Sequence, residues 1–264
     1  MVLNPTELIT SDKNTTVKLV KALLAQARQR KKHGQTVIEG IHLIDAALRS
    51  DYPFVQILLA ESARNHAEVQ QVLTRLPTYT PILTLSDILY ESIRSLGKGI
   101  DIMAIMNIPV PNLPIIEQDC LILNDVQDSG NVGTLLRTAA AVGINQVLCT
   151  TATAQSWSPK TLRAGMGAQF ALDIYEGLSI HEVLEKVKVP LLATSSHTDT
   201  LIYNHNLSSP VAWIMGHEGQ GVCDELMQCA TPIALPQPNG QESLNVAIAG
   251  SLCLYETLRQ RHYS

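Results

Sequence analysis

The feature that most constrains the fold is an alternation of short aliphatic runs with helical segments in the second half of the chain. The runs are five to eight residues long and almost continuously aliphatic or β-branched: 120–125, 146–150, 189–196, 211–216 and 231–236. Such runs are typical of strands that are buried on both faces of a parallel sheet. Helices are predicted over 131–142, about 158–167, 179–187 and 243–261. This pattern predicts an α/β domain with helices on both sides of the sheet.

The first 108 residues show a weaker alternation of the same kind. "VQILLAE", "PILTLS" and "IDIMAIMNI" resemble strands, and "EVQQVLTRL" and "DILYESIRSL" resemble helices. Pro109, Pro111 and Pro114 then follow within six residues, and prolines this close disfavour both helix and interior strand. We therefore predict a small α/β domain over 1–108, a proline-rich linker over 109–118 and a larger α/β domain over 119–264.

Composition excludes several classes of protein. With 45% hydrophobic and 16% charged residues, we expect a soluble, ordered chain, and no apolar run approaches the eighteen or so residues of a membrane span. The start "MVLNPTELITSDKNTT" lacks a basic segment followed by an apolar one, so we expect no signal peptide. Five cysteines without a Cys-x-x-Cys pair predict reduced thiols in the cytoplasm, with neither a disulfide framework nor a zinc site.

Positive charge is concentrated near the N-terminus, although the net charge is −5. Between residues 13 and 32 there are seven basic residues and no acidic one: Lys13, Lys18, Lys21, Arg28, Arg30, Lys31 and Lys32. A segment this basic is suited to contact phosphates. The alternative is a solvated helix face that runs into a basic turn, and the charge alone does not choose between the two.

Polar residues with possible chemistry follow the first strand of the second domain, in "NDVQDSGNVGTLLRTAAAVG". Asp128 or Ser129 is expected to cap the next helix, which places Asn131 at or near its start. Arg137 lies on the same, otherwise apolar helix, and an unpaired buried guanidinium is costly. We therefore expect a partner or a binding site for it, unless the side chain extends to solvent or pairs with an acid in the core.

A glycine-rich stretch, "IMGHEGQGV", follows the strand at 211–216. Glycines at 216, 219 and 221 allow the backbone to approach a ligand closely. The stretch nearly matches a dinucleotide-binding fingerprint, but Asp224 stands at the third glycine and a very short helix follows. A nucleotide-dependent oxidoreductase is therefore disfavoured.

The stretch "TPIALPQPNGQESLNVAIAG" combines a strand, a proline-rich turn and an apolar helix. Ser243 can cap this helix, but Asn245 inside the first turn is a poor helix former, and we interpret it as a site residue. From Val246 to Tyr255 the helix is apolar almost all round, so it has to be covered on every side. A second subunit is one source of that cover.

Together these stretches resemble the three motifs of the SpoU (TrmH) family of RNA ribose 2′-O-methyltransferases. The resemblance rests on "NVGTLLRTAAAVG", "GHEGQG" and "LPQPNGQESLNVAIAG" in this order, over roughly residues 120–260. The N-terminal part, from "ITSDKNTTVKLVKALLAQARQRKKHGQTVIEG", is similar to the substrate-binding domain that often precedes the catalytic one, although a Pro-Gln-Gly is missing near "LGKGIDIMAIM". The second domain also departs from the pattern at Asn124, where an acid is common, and at His217 and Gln237.

The resemblance implies a fold and a set of site residues. It implies a C-terminal trefoil-knotted, SPOUT-type parallel-sheet domain that binds S-adenosylmethionine, and a homodimer with the site close to the interface. By motif position, the cofactor is expected near Thr194, Gly216, Gly221, Leu235, Ser243 and Leu244. The catalytic centre is expected to contain Asn131, Arg137, Glu218, Ser243 and Asn245, with no metal ion.

The resemblance also implies a reaction, the methylation of a ribose 2′-hydroxyl in RNA, with large-subunit (23S) rRNA as the favoured substrate. A tRNA methyltransferase and a non-catalytic RNA-binding or ribosome-assembly protein on the same fold are the alternatives. The usual proposal for the family makes the Arg of the first motif, here Arg137, the general base, but a guanidinium holds its proton to above about pH 12. Orientation of the RNA phosphate or stabilisation of the alkoxide is therefore a second possible role for Arg137. We also predict that the basic segment at 13–32 contacts RNA.

Overall fold

The structure is a computed structural model that describes residues 8–95, 97, 99–238 and 244–263. It contains two compact units. Unit 1 comprises residues 1–109 and 157–170, and unit 2 comprises residues 110–156 and 171–264. None of the helices in the described ranges combines the length and the apolar character that a membrane span requires.

Unit 1 is built on a four-stranded mixed sheet. Its strands are β1 (Gln35–Glu39), β2 (Phe54–Ala60), β3 (Ile82–Leu85) and β4 (Ile102–Asn107), in the order β1-β4-β2-β3. Only β2 and β3 are parallel. The helices are α1 (Thr15–Ala25), α2 (Ala27–His33), α3 (Ile41–Arg49), α4 (Ala67–Arg75), α5 (Asp87–Ile93) and α7 (Pro159–Gly165). The alternation predicted for the first 108 residues is therefore present.

Helix α7 reaches unit 1 from the middle of the predicted second domain. Trp157, just before it, is 2% exposed and lies near the rings of Tyr52 and Phe170. The hydroxyl of Thr36 in β1 donates to the carbonyl of Trp157 at 2.6 Å. These buried contacts hold residues 157–170 in unit 1, and strand and helix periodicity along the chain gives no sign of such a long-range association.

Unit 2 is built on a six-stranded parallel sheet. Its strands are β5 (Cys120–Leu123), β6 (Gln146–Thr150), β7 (Asp173–Leu178), β8 (Leu191–Thr194), β9 (Ala212–Met215) and β10 (Thr231–Ile233), in the order β10-β8-β9-β5-β6-β7. Every strand pair in this sheet is parallel. The helices are α6 (Ser129–Ala141), α8 (Ile180–Lys186), α9 (Asp224–Met227) and α10 (Val246–His262). The order brings the carboxyl ends of β5 and β9 side by side.

The predicted parallel α/β architecture of unit 2 is confirmed, with one strand added. All five aliphatic runs contain a strand, and β5, β6 and β9 are buried along almost their whole length. The sequence pattern missed β7, because this edge strand contains Asp173, Glu176 and Gly177 and is only partly buried. The trefoil knot stays a prediction.

Helix α10 packs closely against α6 and β9. A Cβ added at Gly250 would lie 2.4 Å from Leu135 Cδ2 and 3.0 Å from Met215 Sδ, so only glycine permits this approach. Thr138 and Ser251 also share a hydrogen bond of 3.0 Å across the two helices. The opposite face of α10 carries large apolar side chains that are about half exposed in the single chain: Ile248, Leu252 and Tyr255. Part of the apolar surface of α10 is therefore not covered within the single chain.

Candidate active site

The candidate site lies where two loops leave neighbouring strands of unit 2. One loop follows β5 and leads into α6, and the other follows β9 and contains Gly216 and Glu218. Carboxyl ends of parallel strands, at the point where the strand order reverses direction, are a common place for ligands. Here β6 and β7 lie on one side of β5, while β9, β8 and β10 lie on the other. The sheet thus brings the first two sequence motifs together.

Glu218 is the centre of a hydrogen-bonded group that we call the Glu218 cluster, formed with Asp128, Asn131 and Asn245. Its carboxylate accepts from the backbone N–H groups of Gln127 at 3.1 Å and Asp128 at 3.0 Å, and from Asn131 Nδ2 at 3.0 Å. Partial burial by itself raises the pKa of Glu218, but these three donors and the backbone N–H of Glu218 itself outweigh it and lower the pKa to about 2. Glu218 therefore carries a negative charge at neutral pH.

Asn131 connects the three motifs. Its N–H and that of Gly130 both donate to the capping carboxylate of Asp128, at 3.0 and 2.8 Å. Its side-chain nitrogen binds Glu218, and its side-chain oxygen accepts from Asn245 Nδ2 at 3.0 Å. Because both ends of this amide are used, its orientation is determined by the network. Residues 131, 218 and 245 thus lie together, as the motif resemblance implies.

Asn245 requires a correction. The sequence pattern predicts that it lies inside a helix, where capping would not explain it, but α10 begins at Val246 and Asn245 is its N-cap. The oxygen Oδ1 accepts from the N–H groups of Ala247 at 2.9 Å and Ile248 at 3.2 Å, while the nitrogen binds Asn131. The residue therefore has a capping role as well as its place in the cluster. Ser243, predicted as both a cofactor-binding and a catalytic residue, lies outside the described residues.

A cavity of about 580 Å³ lies at the carboxyl ends of β8, β9 and β10, and we call it the Gly216 cavity. It is lined by five of the predicted cofactor residues: Thr194, Gly216, Gly221, Leu235 and Leu244. Glu218 also lines it, so the cavity adjoins the Glu218 cluster. A Cβ at Gly216 would lie 2.2 Å from the carbonyl carbon of Gly221, and the close passage of these two segments therefore requires glycine.

The lining of the Gly216 cavity fits S-adenosylmethionine. Apolar side chains such as Leu235 and Val246 suit the flat adenosine, and hydroxyls such as those of Thr194 and Ser195 suit the polar groups. Gln237 also lines the cavity, and its buried Oε1 has no hydrogen-bond partner within the described part of the chain. Ser195, Ser196 and His197 were missed, although polar residues directly after a buried strand are a recognisable signal.

Arg137 stands apart from this network. Its side chain is exposed on α6, and no hydrogen bond or ion pair joins it to the rest of the described chain. The expectation of a partner for Arg137 within the chain is therefore not met, and the alternative of a solvent-directed side chain describes the structure.

The basic segment divides into exposed and buried side chains. Lys13, Lys18, Arg28, Lys31 and Lys32 are exposed, and Lys21 is half-buried. Arg30 is only 6% exposed, and its guanidinium donates to the carbonyl of Leu23 at 2.7 Å, near the end of α1. The prediction that Arg30 contacts RNA is therefore withdrawn, because its donors satisfy backbone carbonyls in the interior.

Two family models match the chain. The SpoU rRNA Methylase family model matches residues 119–255, and the MRM3-like substrate binding domain model matches residues 14–98. The chain belongs to the SpoU rRNA methylase family. Membership confirms the enzyme class that the motifs imply, an RNA 2′-O-methyltransferase that uses S-adenosylmethionine.

Relatives of this SpoU methylase match it over nearly the whole length. An uncharacterized tRNA/rRNA methyltransferase from Synechocystis sp. is 30% identical and is aligned over 96% of this chain and 94% of its own. The 23S rRNA (guanosine(2553)-2′-O)-methyltransferase RlmP from Bacillus subtilis is also 30% identical, over 94% and 97%. A crystal structure of an AdoMet-bound rRNA methyltransferase from Sinorhizobium meliloti is 26% identical and superposes with a TM-score of 0.86, over 98% and 99%.

Proposed function

We propose that this SpoU methylase transfers the methyl group of S-adenosylmethionine to a ribose 2′-hydroxyl of large-subunit (23S) rRNA in the cytoplasm. The observation that carries the proposal is the Glu218 cluster, in which all three motifs are hydrogen-bonded together beside the Gly216 cavity. The match to an N-terminal substrate-binding domain and the name of the Bacillus subtilis relative favour rRNA over tRNA.

The sulfonium of S-adenosylmethionine supplies an activated methyl group, so the protein has to aim the hydroxyl, let its proton pass to water and steady the developing alkoxide. Glu218 is a poor general base, because a carboxylate with a pKa of about 2 has little affinity for a proton at neutral pH. In our proposal it is a positioning residue that holds the loop before α6 and the amide of Asn131. Each amide nitrogen of Asn131 and Asn245 keeps a second N–H, and these donors are available to the ribose or its phosphate.

Arg137 is proposed to bind the RNA phosphate next to the target ribose or to stabilise the alkoxide. Its exposed guanidinium makes no contact within the described chain that would compete for an anion. A guanidinium binds phosphate through two parallel hydrogen bonds, which fixes orientation as well as charge. A nearby anion would hold the proton on Arg137 more firmly, and this disfavours a role as general base.

We propose that the active enzyme is a homodimer that buries the exposed face of α10. Ile248, Leu252 and Tyr255 are between 47% and 55% exposed in the single chain. A run of large apolar residues on one helix face is typical of an interface. Leu252→Asp should produce a monomer in sedimentation experiments. Ile88→Asp is the matched control, because Ile88 is 86% exposed on α5 of unit 1 and should leave the dimer intact.

The function is tested by mapping ribose methylations on rRNA and tRNA from a strain that lacks the gene. The expected result is one missing 2′-O-methyl group in large-subunit rRNA, restored when the purified protein and S-adenosylmethionine are added. A missing group in tRNA would support the alternative substrate. Unchanged methylation of both RNAs, with S-adenosylmethionine still bound in calorimetry, would contradict the proposal.

A further inference from the structure

A second cavity of about 430 Å³ lies on the other side of the Glu218 cluster, at the carboxyl ends of β5, β6 and β7. We call it the Asn124 cavity. Along the sheet, the Gly216 cavity occupies the ends of β10, β8 and β9, and the Asn124 cavity occupies the ends of the three remaining strands. The cluster lies at the junction, on the loops that follow β5 and β9. A transfer between two substrates requires two binding sites that flank the reacting atoms.

The floor of the Asn124 cavity is tied to the cluster by short segments. Asn124 is three residues before Gln127, whose N–H binds Glu218, so their Cα atoms are at most about 11 Å apart. Asn124 Oδ1 in turn accepts from the N–H of Cys223 at 2.8 Å, five residues after Glu218. A single nucleoside can span such a distance with its ribose at the cluster and its base in the cavity.

Asn124 stands where an acid is common in the family, and its amide keeps a hydrogen-bond donor that the described part of the chain does not use. The residue is only 1% exposed, and the bond from Cys223 determines which end of its amide faces the protein. Within the described part of the chain its Nδ2 has no partner, and the atom is not sealed in the interior. A buried donor without a partner is unfavourable, and a ligand with an acceptor would satisfy it. This donor also disfavours a metal ion, because an amide N–H group does not coordinate a cation.

The remaining polar groups of the cavity are mostly acceptors. Carboxylates of Asp125, Asp224 and Glu225 line it beside three hydroxyls, which donate within the chain to Asp125, Leu178 and Glu182: those of Thr150, Thr151 and Ser179. Leu178 supplies an apolar wall, and the described lining includes no Lys, Arg or His. Negative charge disfavours phosphate and favours groups that donate hydrogen bonds. A ligand that matches this lining carries an acceptor next to donors.

Among the RNA bases, guanine has this pattern. Its O6 accepts, while the adjacent N1–H and N2–H₂ donate in parallel to one carboxylate. The corresponding edge of uracil offers one donor between two acceptors, cytosine offers one donor beside two acceptors, and adenine offers no carbonyl. We infer that the Asn124 cavity binds the guanine base of the nucleotide that is methylated, with Asn124 on O6 and an acidic side chain on N1 and N2. This inference rests on the proposed function.

The test uses the full-length protein and a synthetic RNA fragment around the mapped target, with guanosine or inosine at the methylated position. Inosine keeps O6 and N1–H but lacks the amino group at N2. We expect kcat/KM to be at least about tenfold higher for guanosine. In the double variant Asp224→Asn/Glu225→Gln this ratio should fall toward one, because both side chains are exposed and their replacement removes acceptors without disturbing the core. Asp224 also lines the Gly216 cavity, so the S-adenosylmethionine Kd of this variant is measured as well, and the ratio of the two RNAs cancels any change in it. Glu117→Gln, an exposed acid elsewhere on unit 2, should keep the ratio.

Asn124→Asp provides the second arm. Aspartate still accepts the N–H of Cys223 but no longer donates, so kcat/KM on the guanosine RNA should fall at least about tenfold. The S-adenosylmethionine Kd, measured by calorimetry, and the Tm should change little. A target other than guanosine, or an inosine penalty that is absent or survives in the double variant, overturns the inference and leaves the proposed function standing. Absence of methyl transfer to any RNA by the wild type would instead overturn the proposed function.

Discussion

The loops of the Glu218 cluster and the basic segment at 13–32 were both selected from the sequence, but the structure organises them differently. In the cluster, each polar side chain has a defined partner, and Glu218 alone accepts three hydrogen bonds. In the basic segment, most charged side chains extend into solvent and only Arg30 is anchored. Catalysis requires side chains that are held at fixed distances, as in the Glu218 cluster. Attraction to the phosphates of RNA requires only exposed positive charge, as in the basic segment.

The largest effect on methyl transfer is expected for Arg137. This residue belongs to the first motif, but its side chain is exposed to solvent like those of the basic segment. Arg137→Ala should lower methyl transfer at least a hundredfold, because charge on the alkoxide or phosphate loses its partner. The S-adenosylmethionine Kd should stay nearly unchanged, since Arg137 does not line the Gly216 cavity. Turnover is measured with labelled cofactor, and Arg137→Lys separates charge from bidentate geometry. A variant that keeps more than about a tenth of wild-type turnover would contradict the assignment.

A smaller loss of turnover is expected when the hydrogen bonds of the Glu218 cluster are weakened. Glu218→Gln keeps the shape, but an amide has one acceptor oxygen and its nitrogen would face an N–H donor. Stability should fall by about 1 kcal/mol and turnover about tenfold, because the loop before α6 loses its anchor. Thermal unfolding and kcat/KM are the measurements. If turnover were unchanged while stability fell, Glu218 would have a purely structural role.

The sequence motifs indicate which residues lie close together, but they do not indicate the contacts between them. Asn131 and Glu218 are 87 residues apart, and only the adjacency of β5 and β9 in the sheet brings them together. Short aliphatic runs predict that these strands exist and are parallel, but they do not determine the strand order. The motif resemblance supplied that information indirectly, because it assigned both residues to one centre.

Asn245 and Arg30 show where local reasoning failed. Helix periodicity placed the start of α10 at residue 243, whereas the helix starts at Val246 and turns an apparent misfit into a cap. Ends of helices are poorly determined by periodicity, and a shift of three residues changes the role of a polar side chain. The burial of Arg30 depends on the way in which α2 follows α1, and a count of charges carries no such information.

The basic segment is expected to have a graded effect on RNA binding. Replacing Lys13, Lys18, Lys31 and Lys32 by Gln should weaken RNA binding about three- to tenfold, because all four side chains are exposed. The slope of log affinity against log salt should become shallower by about 0.7 to 0.9 for each phosphate contact that is lost. Filter binding at several salt concentrations measures both quantities. An unchanged affinity and slope would leave the segment as a solvated helix face.

The matched variant within the same segment is Arg30→Met. It removes one positive charge, but that charge is buried and donates to the carbonyl of Leu23. The salt slope should therefore stay the same while stability falls by about 1–3 kcal/mol, because the carbonyl loses its donor. A shallower salt slope in this variant would show that Arg30 reaches RNA in another conformation.

The smallest effect on the Glu218 cluster is expected from a change of pH near neutrality. Because the pKa of Glu218 is lowered to about 2 from an ordinary value of 4.5, its charge stabilises the folded loops. That contribution is complete above about pH 4.5 and is lost as the pH falls toward 2. Between pH 8 and 5 the cluster should therefore be unchanged, and the acid limb of any activity profile should come from another group.

The ¹³C shift of the Glu218 carboxyl group follows this titration directly, with Glu218→Gln for assignment. Asn131→Ala removes one donor and should raise the pKa toward 4.5, whereas an identical titration in that variant would show that the backbone donors alone hold the charge.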